Sequence, residues 1–381
     1  MSPAPLVCHL ITSTEAGGAE TQLLHLVRGG EATGVRHRVL CLGREGVLAP
    51  ELARAGAAPL SLGLSPGPGA LLRGLPRLAL HLRRLGPALV QTWLYHADLL
   101  GLLASRLAGS PPLVWTLRCS DMDLARYSRA TRLVLRANIR LSRLPAAIVA
   151  NSHSGARWHA GLGYPADRLE VIPNGFDSQR FRPDPRARER LRRSLGLDDG
   201  HILVGHLARW DPMKDQATLL AAFTQALAQN PRLRLVLVGP GLEESNPGLA
   251  ACWRPPLAGR VFALGYQAQP QQWLAALDLH LLSSLSEGLC NAVGEAMAAG
   301  VPNLVTDTGD NRRLVGDTGL VVPPARPQEM ARALLQMAAW SAEERRRRGQ
   351  AARQRIEESY SLEAMRAAYG RLYRRLLAGG N

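Results

Sequence analysis

Short apolar runs alternate with amphipathic segments almost from end to end of this chain. In the first half, Leu6–Thr12, His37–Leu42, Leu89–Trp93, Pro112–Leu117, Ala147–Ala150 and Leu169–Ile172 read as strands: short, apolar and bounded by turn formers. Between them Glu20–Arg28, Leu71–Leu85 and Asp98–Leu107 carry apolar residues at three- and four-residue spacing and read as helices. Pro173-Asn174-Gly175 closes this series with a strong turn signal. The alternation restarts with strands at His201–Leu207, Leu233–Val238, Arg260–Leu264, Leu277–Leu282 and Asn303–Val305. Helices are predicted at Gln216–Ala228, Gln271–Ala276, Ala292–Ala299 and Pro327–Ala339. This pattern predicts α/β layering around parallel sheets. Two series of similar size imply two Rossmann-like domains facing across a cleft, with the aperiodic Phe181-Arg182-Pro183-Asp184-Pro185 as linker. The first domain is therefore expected at 1–182 and the second at 183–358. From Ser341 onward the chain reads as Arg-rich helix, most of its arginines on a solvated face.

Composition narrows the class. A chain of 381 residues suits two domains, and 46% hydrophobic with 20% charged residues is the balance of a folded globular protein. No stretch approaches the ~20 apolar residues that span a bilayer. Met1–Leu10 lacks a basic leader and runs straight into a strand pattern, so the expected location is cytoplasmic. Cys8, Cys41, Cys119, Cys252 and Cys290 are scattered and free of C-x-x-C spacing, which suggests neither a disulfide framework nor a zinc site. The net charge of +15 calls for an acidic partner: nucleic acid, anionic lipid or a phosphorylated substrate. Nucleic acid is disfavoured, because no zinc module, helix-turn-helix signature or basic repeat with interleaved aromatics is present.

Three segments carry chemistry. Ser13-Thr14-Glu15-Ala16-Gly17-Gly18-Ala19-Glu20 follows a predicted strand and opens a helix. Adjacent Gly17 and Gly18 allow close backbone approach, and a helix start favours anions. The segment is not G-x-G-x-x-G, so no dinucleotide fingerprint is supported. The second segment, Gly205 to Asp215, ends the first strand of the second series and contains Arg209 and Lys214, two cations suited to a diphosphate. Lys214 is the only lysine in an arginine-rich chain, which points to a position that requires a compact ammonium; the alternative is chance survival of a lysine on a surface helix. The third, Ser286 to Gly300, places Glu287 in a loop and Glu295 inside the next helix. Carboxylates accept strong hydrogen bonds from sugar hydroxyls, and the amides of Leu289, Cys290, Asn291 and Ala292 would point at a ligand. A carboxylate answering the helix dipole explains Glu295 in part and Glu287 poorly.

The Glu-x7-Glu spacing, the Arg209/Lys214 pair, the Gly17-Gly18 loop and Val171-Ile172-Pro173-Asn174-Gly175-Phe176-Asp177 together resemble family-4 glycosyltransferases of the GT-B fold, of the bacterial polysaccharide or glycolipid type. The likeness runs through essentially the whole chain. It implies retaining, metal-independent transfer, without a cofactor, from a nucleoside-diphosphate sugar held mainly by the C-terminal domain. On that pattern Arg209 and Lys214 hold the diphosphate, Glu295 binds ribose hydroxyls, and Glu287 contacts the donor sugar. Gly288, Leu289, Cys290, Asn291 and Ala292 complete the donor pocket, Tyr266 neighbours the base, and Gly17-Gly18 closes over from the other domain. His96 and Arg118 fall on the acceptor side, with His96 counted among the catalytic positions. The last helix, 359–381, crosses back to the first domain. The glutamates are then not a glycosidase acid–nucleophile pair, since front-face attack needs positioning and charge stabilisation instead. The implied product is a hexose or N-acetylhexosamine moved, from UDP ahead of GDP, to a glycan or lipid-diphosphate-linked acceptor in cell-surface polysaccharide synthesis. A nucleotide-sugar epimerase of the same fold and a non-catalytic nucleotide-sugar-binding subunit are the alternatives.

Arg126, Arg129, Arg132, Arg136, Arg140 and Arg143 recur at helical spacing, with Leu133, Val134, Ala137, Leu141 and Leu144 available for the opposite face. Two readings are open: a solvated helix face, or a surface resting on anionic headgroups at the inner face of the cytoplasmic membrane.

Overall fold

The structure is a computed structural model, which describes residues 4–64, 68–120, 128–253 and 257–379. The chain forms two compact units, Met1–Gly175 together with Leu362–Asn381, and Phe176–Ser361. In the first, β1 (Leu6–Ile11), β2 (Arg36–Cys41), β3 (Leu60–Ser61), β4 (Leu89–Trp93), β5 (Leu113–Leu117), β6 (Ala147–Ala150) and β7 (Leu169–Val171) make one sheet in the order β3-β2-β1-β4-β5-β6-β7. In the second, β8 (Ile202–Leu207), β9 (Leu233–Val238), β10 (Val261–Gly265), β11 (Leu279–Leu282), β12 (Asn303–Thr306) and β13 (Leu320–Val322) are ordered β10-β9-β8-β11-β12-β13. Every pairing in both sheets is parallel.

The central strands are buried on both faces because helices cover both: β4, β5, β8 and β9 are buried along their whole length and are mostly apolar, with Gln91, Thr92, Thr116, His206 and Arg234 as the polar exceptions. Strand order reverses between β1 and β4 in the first sheet and between β8 and β11 in the second. In open α/β sheets the loops leaving the carboxyl ends at such a reversal splay apart, and ligands bind there. The two expected Rossmann-like layers are thus present. Two short edge strands, β3 and β13, escaped the pattern because two or three residues carry no periodicity.

The units divide at Gly175–Phe176, earlier than the proline-rich segment that the sequence suggests as linker. Phe176 and Phe181 lie in the core of the second unit, and the Phe176 amide donates to Tyr360 O at 2.9 Å. Asp184-Pro185 is a helix start, not a linker: Asp184 Oδ1 accepts from Ala187 N at 3.0 Å, and Pro185 is the first residue of helix Pro185–Ser194. Helix Leu362–Ala378 packs in the first unit through Leu362, Met365, Tyr369, Leu372 and Tyr373, one face at three- and four-residue spacing. Several C-terminal arginines are not merely solvated. Arg353 donates to Ala298 O at 2.6 Å, closing the end of helix Asn291–Ala298, and Arg355 donates to Leu314 O at 2.9 Å and Arg313 O at 2.7 Å.

Helix Asn291–Ala298 is also fixed by a close approach. A Cβ on Gly294 would sit 2.2 Å from the ring of Phe176, which is itself 2% exposed. We expect Gly294→Ala to destabilise the protein by about 1–3 kcal/mol through overpacking. Urea unfolding will read this, and Phe176→Leu in the same chain should recover part of the loss.

Candidate functional site

The carboxyl end of β8 leads into Ala208-Arg209-Trp210-Asp211, and the short 3-10 turn Pro212–Lys214 follows. Asp211 organises this turn: its Oδ1 accepts from Met213 N at 2.9 Å, while Oδ2 accepts from Arg209 Nε at 2.9 Å and lies 2.8 Å from Arg209 Nη2. Desolvation raises the Asp211 pKa, but the Met213 amide and Arg209 outweigh it and hold the carboxyl below its usual range. Asp215, at φ 47° and ψ 54°, reverses the chain in the left-handed region and caps helix Gln216–Gln229 by accepting from Thr218 N at 3.2 Å. These two aspartates fix Lys214 between them.

The carboxyl end of β11 supplies the facing loop. Ser283 Oγ donates to Lys214 O at 2.7 Å and Leu285 N to Met213 O at 2.8 Å, binding the two loops together. Glu287 Oε1 then receives Lys214 Nζ at 2.5 Å and Ser284 Oγ at 2.6 Å. Both charged side chains are largely covered, 17% exposed for Lys214 and 12% for Glu287. Burial works against the ammonium, yet the Glu287 carboxylate more than offsets it and the lysine pKa ends above its ordinary value. Gly309, at φ 58°, packs directly on the loop; a Cβ there would meet Glu287 O at 2.3 Å and Gly288 O at 2.4 Å. Asp310 N donates to Gly288 O at 2.9 Å, and Thr306 Oγ1 to Ser284 O at 2.7 Å.

Leu289 and Cys290 are buried, whereas Asn291 and Ala292, the first turn of helix Asn291–Ala298, are half-buried. Burial, aided by Glu287, pushes the Cys290 thiol up to about 12, so it is neutral beside the ion pair. Glu295 follows on the same helix. Burial raises its pKa to about 7, with Arg180 pulling the other way. Tyr266 stands exposed just beyond β10. The structure thus unites Lys214, Glu287, Gly288 and Cys290 at the β8/β11 reversal, with Arg209 joined through Asp211. Sequence reasoning missed Asp211, Ser283, Ser284, Thr306 and Gly309. Asp211-Pro212 does carry a cap-and-first-turn signal, but nothing in the one-dimensional pattern places Gly309 on Glu287.

In the first unit, Gly17 and Gly18 open helix Gly18–Val27 after β1, His96 lies in the first turn of helix Tyr95–Leu107 after β4, and Arg118 directly follows β5. The glycine loop is not a bare anion cradle. A Cβ on Gly17 would meet Glu20 Oε2 at 2.2 Å, and Ser13 Oγ donates to Glu20 Oε1 at 3.3 Å. Arg118 donates to Asn174 Oδ1 at 2.7 Å and stacks 5.6 Å from the Trp93 ring centre. His96 is exposed, with its pKa lowered by desolvation. Arg126 of the basic stripe lies outside the described residues. On helix Arg129–Leu141, Arg129, Arg136 and Arg140 are exposed and Arg132 is half-buried. Leu133, expected on the apolar face, is 62% exposed among these arginines, because Leu135 and Asn138 take the buried positions. No helix among the described residues is long and apolar enough to cross a membrane.

Comparison with known proteins fits this geometry. The profile described as Glycosyltransferase Family 4 matches residues 16–180, and Glycosyl transferases group 1 matches residues 201–339. The chain belongs to the family-4 glycosyltransferases. The family fold is GT-B, in agreement with the solved structures it resembles. HepE from Anabaena, crystallised with UDP and glucose, is 24% identical, with a TM-score of 0.85 over 97% of this chain and 100% of that one. Sucrose-phosphate synthase from Thermosynechococcus elongatus is 20% identical, with a TM-score of 0.83 over 99% of this chain and 100% of that one. D-inositol 3-phosphate glycosyltransferase of Rhodococcus erythropolis is 35% identical over 204 residues, 49% of this chain and 44% of that protein. The chain spans about half the length of the curated relatives it matches.

The ion pair makes a direct prediction. Lys214→Met should cost about 3 kcal/mol, because it strands a covered Glu287 carboxylate. Glu287→Gln added to Lys214→Met should recover most of that loss, and a double-mutant cycle by chemical denaturation measures the coupling.

Proposed function

We propose that this family-4 glycosyltransferase moves a sugar, with retention of anomeric configuration, from a nucleoside-diphosphate donor to a glycan or lipid-linked acceptor. The observation that carries the reading is the Lys214–Glu287 pair at the β8/β11 reversal, with Arg209 beside it. A diphosphate leaving group gathers charge as the glycosidic bond breaks, and fixed cations that already face the site stabilise it without reorganisation. Lys214 and Arg209 fill that role, so the reading requires no resident metal or cofactor. Each cation sits on a carboxylate, Glu287 or Asp211, which holds it in place for the phosphate oxygens. Glu287 then accepts from donor-sugar hydroxyls near the reacting carbon, while Glu295 accepts from the ribose.

The sugar donor is a hexose or N-acetylhexosamine nucleotide, and uridine ranks ahead of guanosine; HepE, which shares the fold, has been crystallised with UDP-glucose. His96 and Arg118 serve the acceptor from the first unit. The exposed Arg129, Leu133, Arg136 and Arg140 suit an anionic surface, with leucine entering the headgroup layer and arginines meeting phosphates. That face supports reading the acceptor as lipid-linked, at the inner face of the cytoplasmic membrane and used for cell-surface polysaccharide.

UDP is expected to raise the thermal midpoint, and Arg209→Ala or Lys214→Ala to remove most of the rise; unchanged shifts in both variants contradict the diphosphate assignment. Glu295→Ala should weaken UDP binding with little further effect, whereas Glu287→Ala should lower turnover as well, read by initial rates at saturating donor. Binding should also be proton-linked. Glu295 is partly protonated near pH 7, and ribose hydroxyls favour its ionised form, so UDP binding should release protons and tighten as pH rises from about 6 to 8. Titration calorimetry in buffers of different ionisation enthalpy measures the release, which Glu295→Gln should reduce to the part that the terminal phosphate of UDP, itself ionising at about pH 6, contributes. Flotation on anionic vesicles tests the membrane face; binding by wild type and loss in Arg136→Glu/Arg140→Glu is the expected result.

A further inference from the structure

Leu94, between β4 and helix Tyr95–Leu107, adopts φ 73° and ψ 153°, a region that a leucine avoids. Such a conformation persists only where its surroundings over-determine it. Here they do. Leu94 N donates to Thr116 O at 3.2 Å, and Leu94 O accepts from Asp98 N at 2.9 Å in the first helical turn. The next residue is held from two further elements: Tyr95 O accepts from Asn138 Nδ2 at 2.9 Å, and Tyr95 Oη lies 2.7 Å from His159 Nε2. His159 Nδ1 lies 2.7 Å from Gly155 O, which has no proton to give, so Nδ1–H donates there. Nε2 is left as the acceptor, and the Tyr95 hydroxyl donates to it. Asn138 and His159 are fully buried, and the His159 ring is wedged edge-on between Trp158 at 4.8 Å and Tyr164 at 5.1 Å between centres. Burial takes the His159 pKa down to about 4, so the ring stays a neutral acceptor at physiological pH.

The one exposed side chain in this clamped turn is His96. We propose that Tyr95, Asn138 and His159 are positioning residues that hold the strained turn and so aim His96 at the substrate. The proposal rests on the reading above that His96 acts on substrate. It explains why a turn under strain is tied from three separate elements directly after β4, at the strand-order reversal of the first sheet. Strain at Leu94 without the tether would relax by moving the backbone that carries His96.

The test compares Tyr95→Phe, Asn138→Leu, His159→Gln, His159→Leu and His96→Ala in the full chain, using UDP-glucose hydrolysis for activity. Tyr95→Phe and Asn138→Leu are expected to lower kcat about tenfold or more, leaving KM for UDP-glucose and the thermal midpoint near wild type. His159→Gln keeps an acceptor for the tyrosine hydroxyl and should retain far more turnover than His159→Leu. Independently of any donor, the His96 ring should give one sharp carbon–proton resonance in wild type and a broadened or split one in Tyr95→Phe. Wild-type kcat and an unchanged His96 signal in Tyr95→Phe and Asn138→Leu, with turnover lost in His96→Ala, would overturn the positioning role and leave the transferase reading standing. Full turnover in His96→Ala would overturn both the clamp and the role given to His96. Equal losses in His159→Gln and His159→Leu, matched by falling thermal midpoints, would reduce the cluster to a structural one and sink the proposal.

Discussion

The contact between the Lys214 ammonium and the Glu287 carboxylate ties together two loops that leave the second sheet on either side of its strand-order reversal. Everything around it serves to hold two opposite charges in a covered place. Desolvating both is expensive unless each finds its partner and further hydrogen bonds. Ser284 supplies one of these bonds to Glu287, and Ser283 and Leu285 fasten the backbone on which the lysine is carried. On the function proposed above, the pair holds a cation for a phosphate and an acceptor for a hydroxyl. Either role needs a side chain that does not have to be reorganised when the ligand arrives.

The same economy runs through the rest of the second unit. Arginine does the structural work: Arg353 and Arg355 close helix ends, and Arg188 and Arg192 reach Asp278 at 2.6 and 2.8 Å. A planar fork suits carbonyls and carboxylates that present two lone pairs in one plane. The lone lysine stands where the partner is a single carboxylate oxygen in a narrow place. The first unit solves its own positioning problem differently, through backbone strain at Leu94 restrained by buried neutral side chains rather than by an ion pair.

Much of this was legible in the sequence. Strand and helix alternation specified two parallel α/β layers because strands buried on both faces are mostly apolar, and that signature survives in one dimension. Lys214 stands out as the only lysine, Arg209 by its pairing with Lys214, and Glu287 and Glu295 by their placement in a loop and the helix after it. The boundary between units was misplaced because Pro183 and Pro185 look like linker residues, although Asp184-Pro185 is a helix cap and first turn. Leu133 reads as apolar-face in the sequence, yet Leu135, two positions on and about 200° round the helix, turns inward, because helical spacing alone does not say which apolar stripe meets the core.

What the sequence determined by itself, then, was the layering, the order of the elements and the charged residues worth watching, since these depend on local periodicity and residue chemistry. Tertiary structure alone decided their partners. Glu287 and Lys214 are 73 positions apart, and Tyr95 and His159 are 64 apart. Contacts at such separations are set by strand order and by which loops leave the same end of a sheet. The left-handed turns at Asp215 and Gly309 and the strained Leu94 belong to the same class. Each is imposed by packing from elsewhere in the chain, and for Asp215 and Leu94 against what the residue itself would prefer.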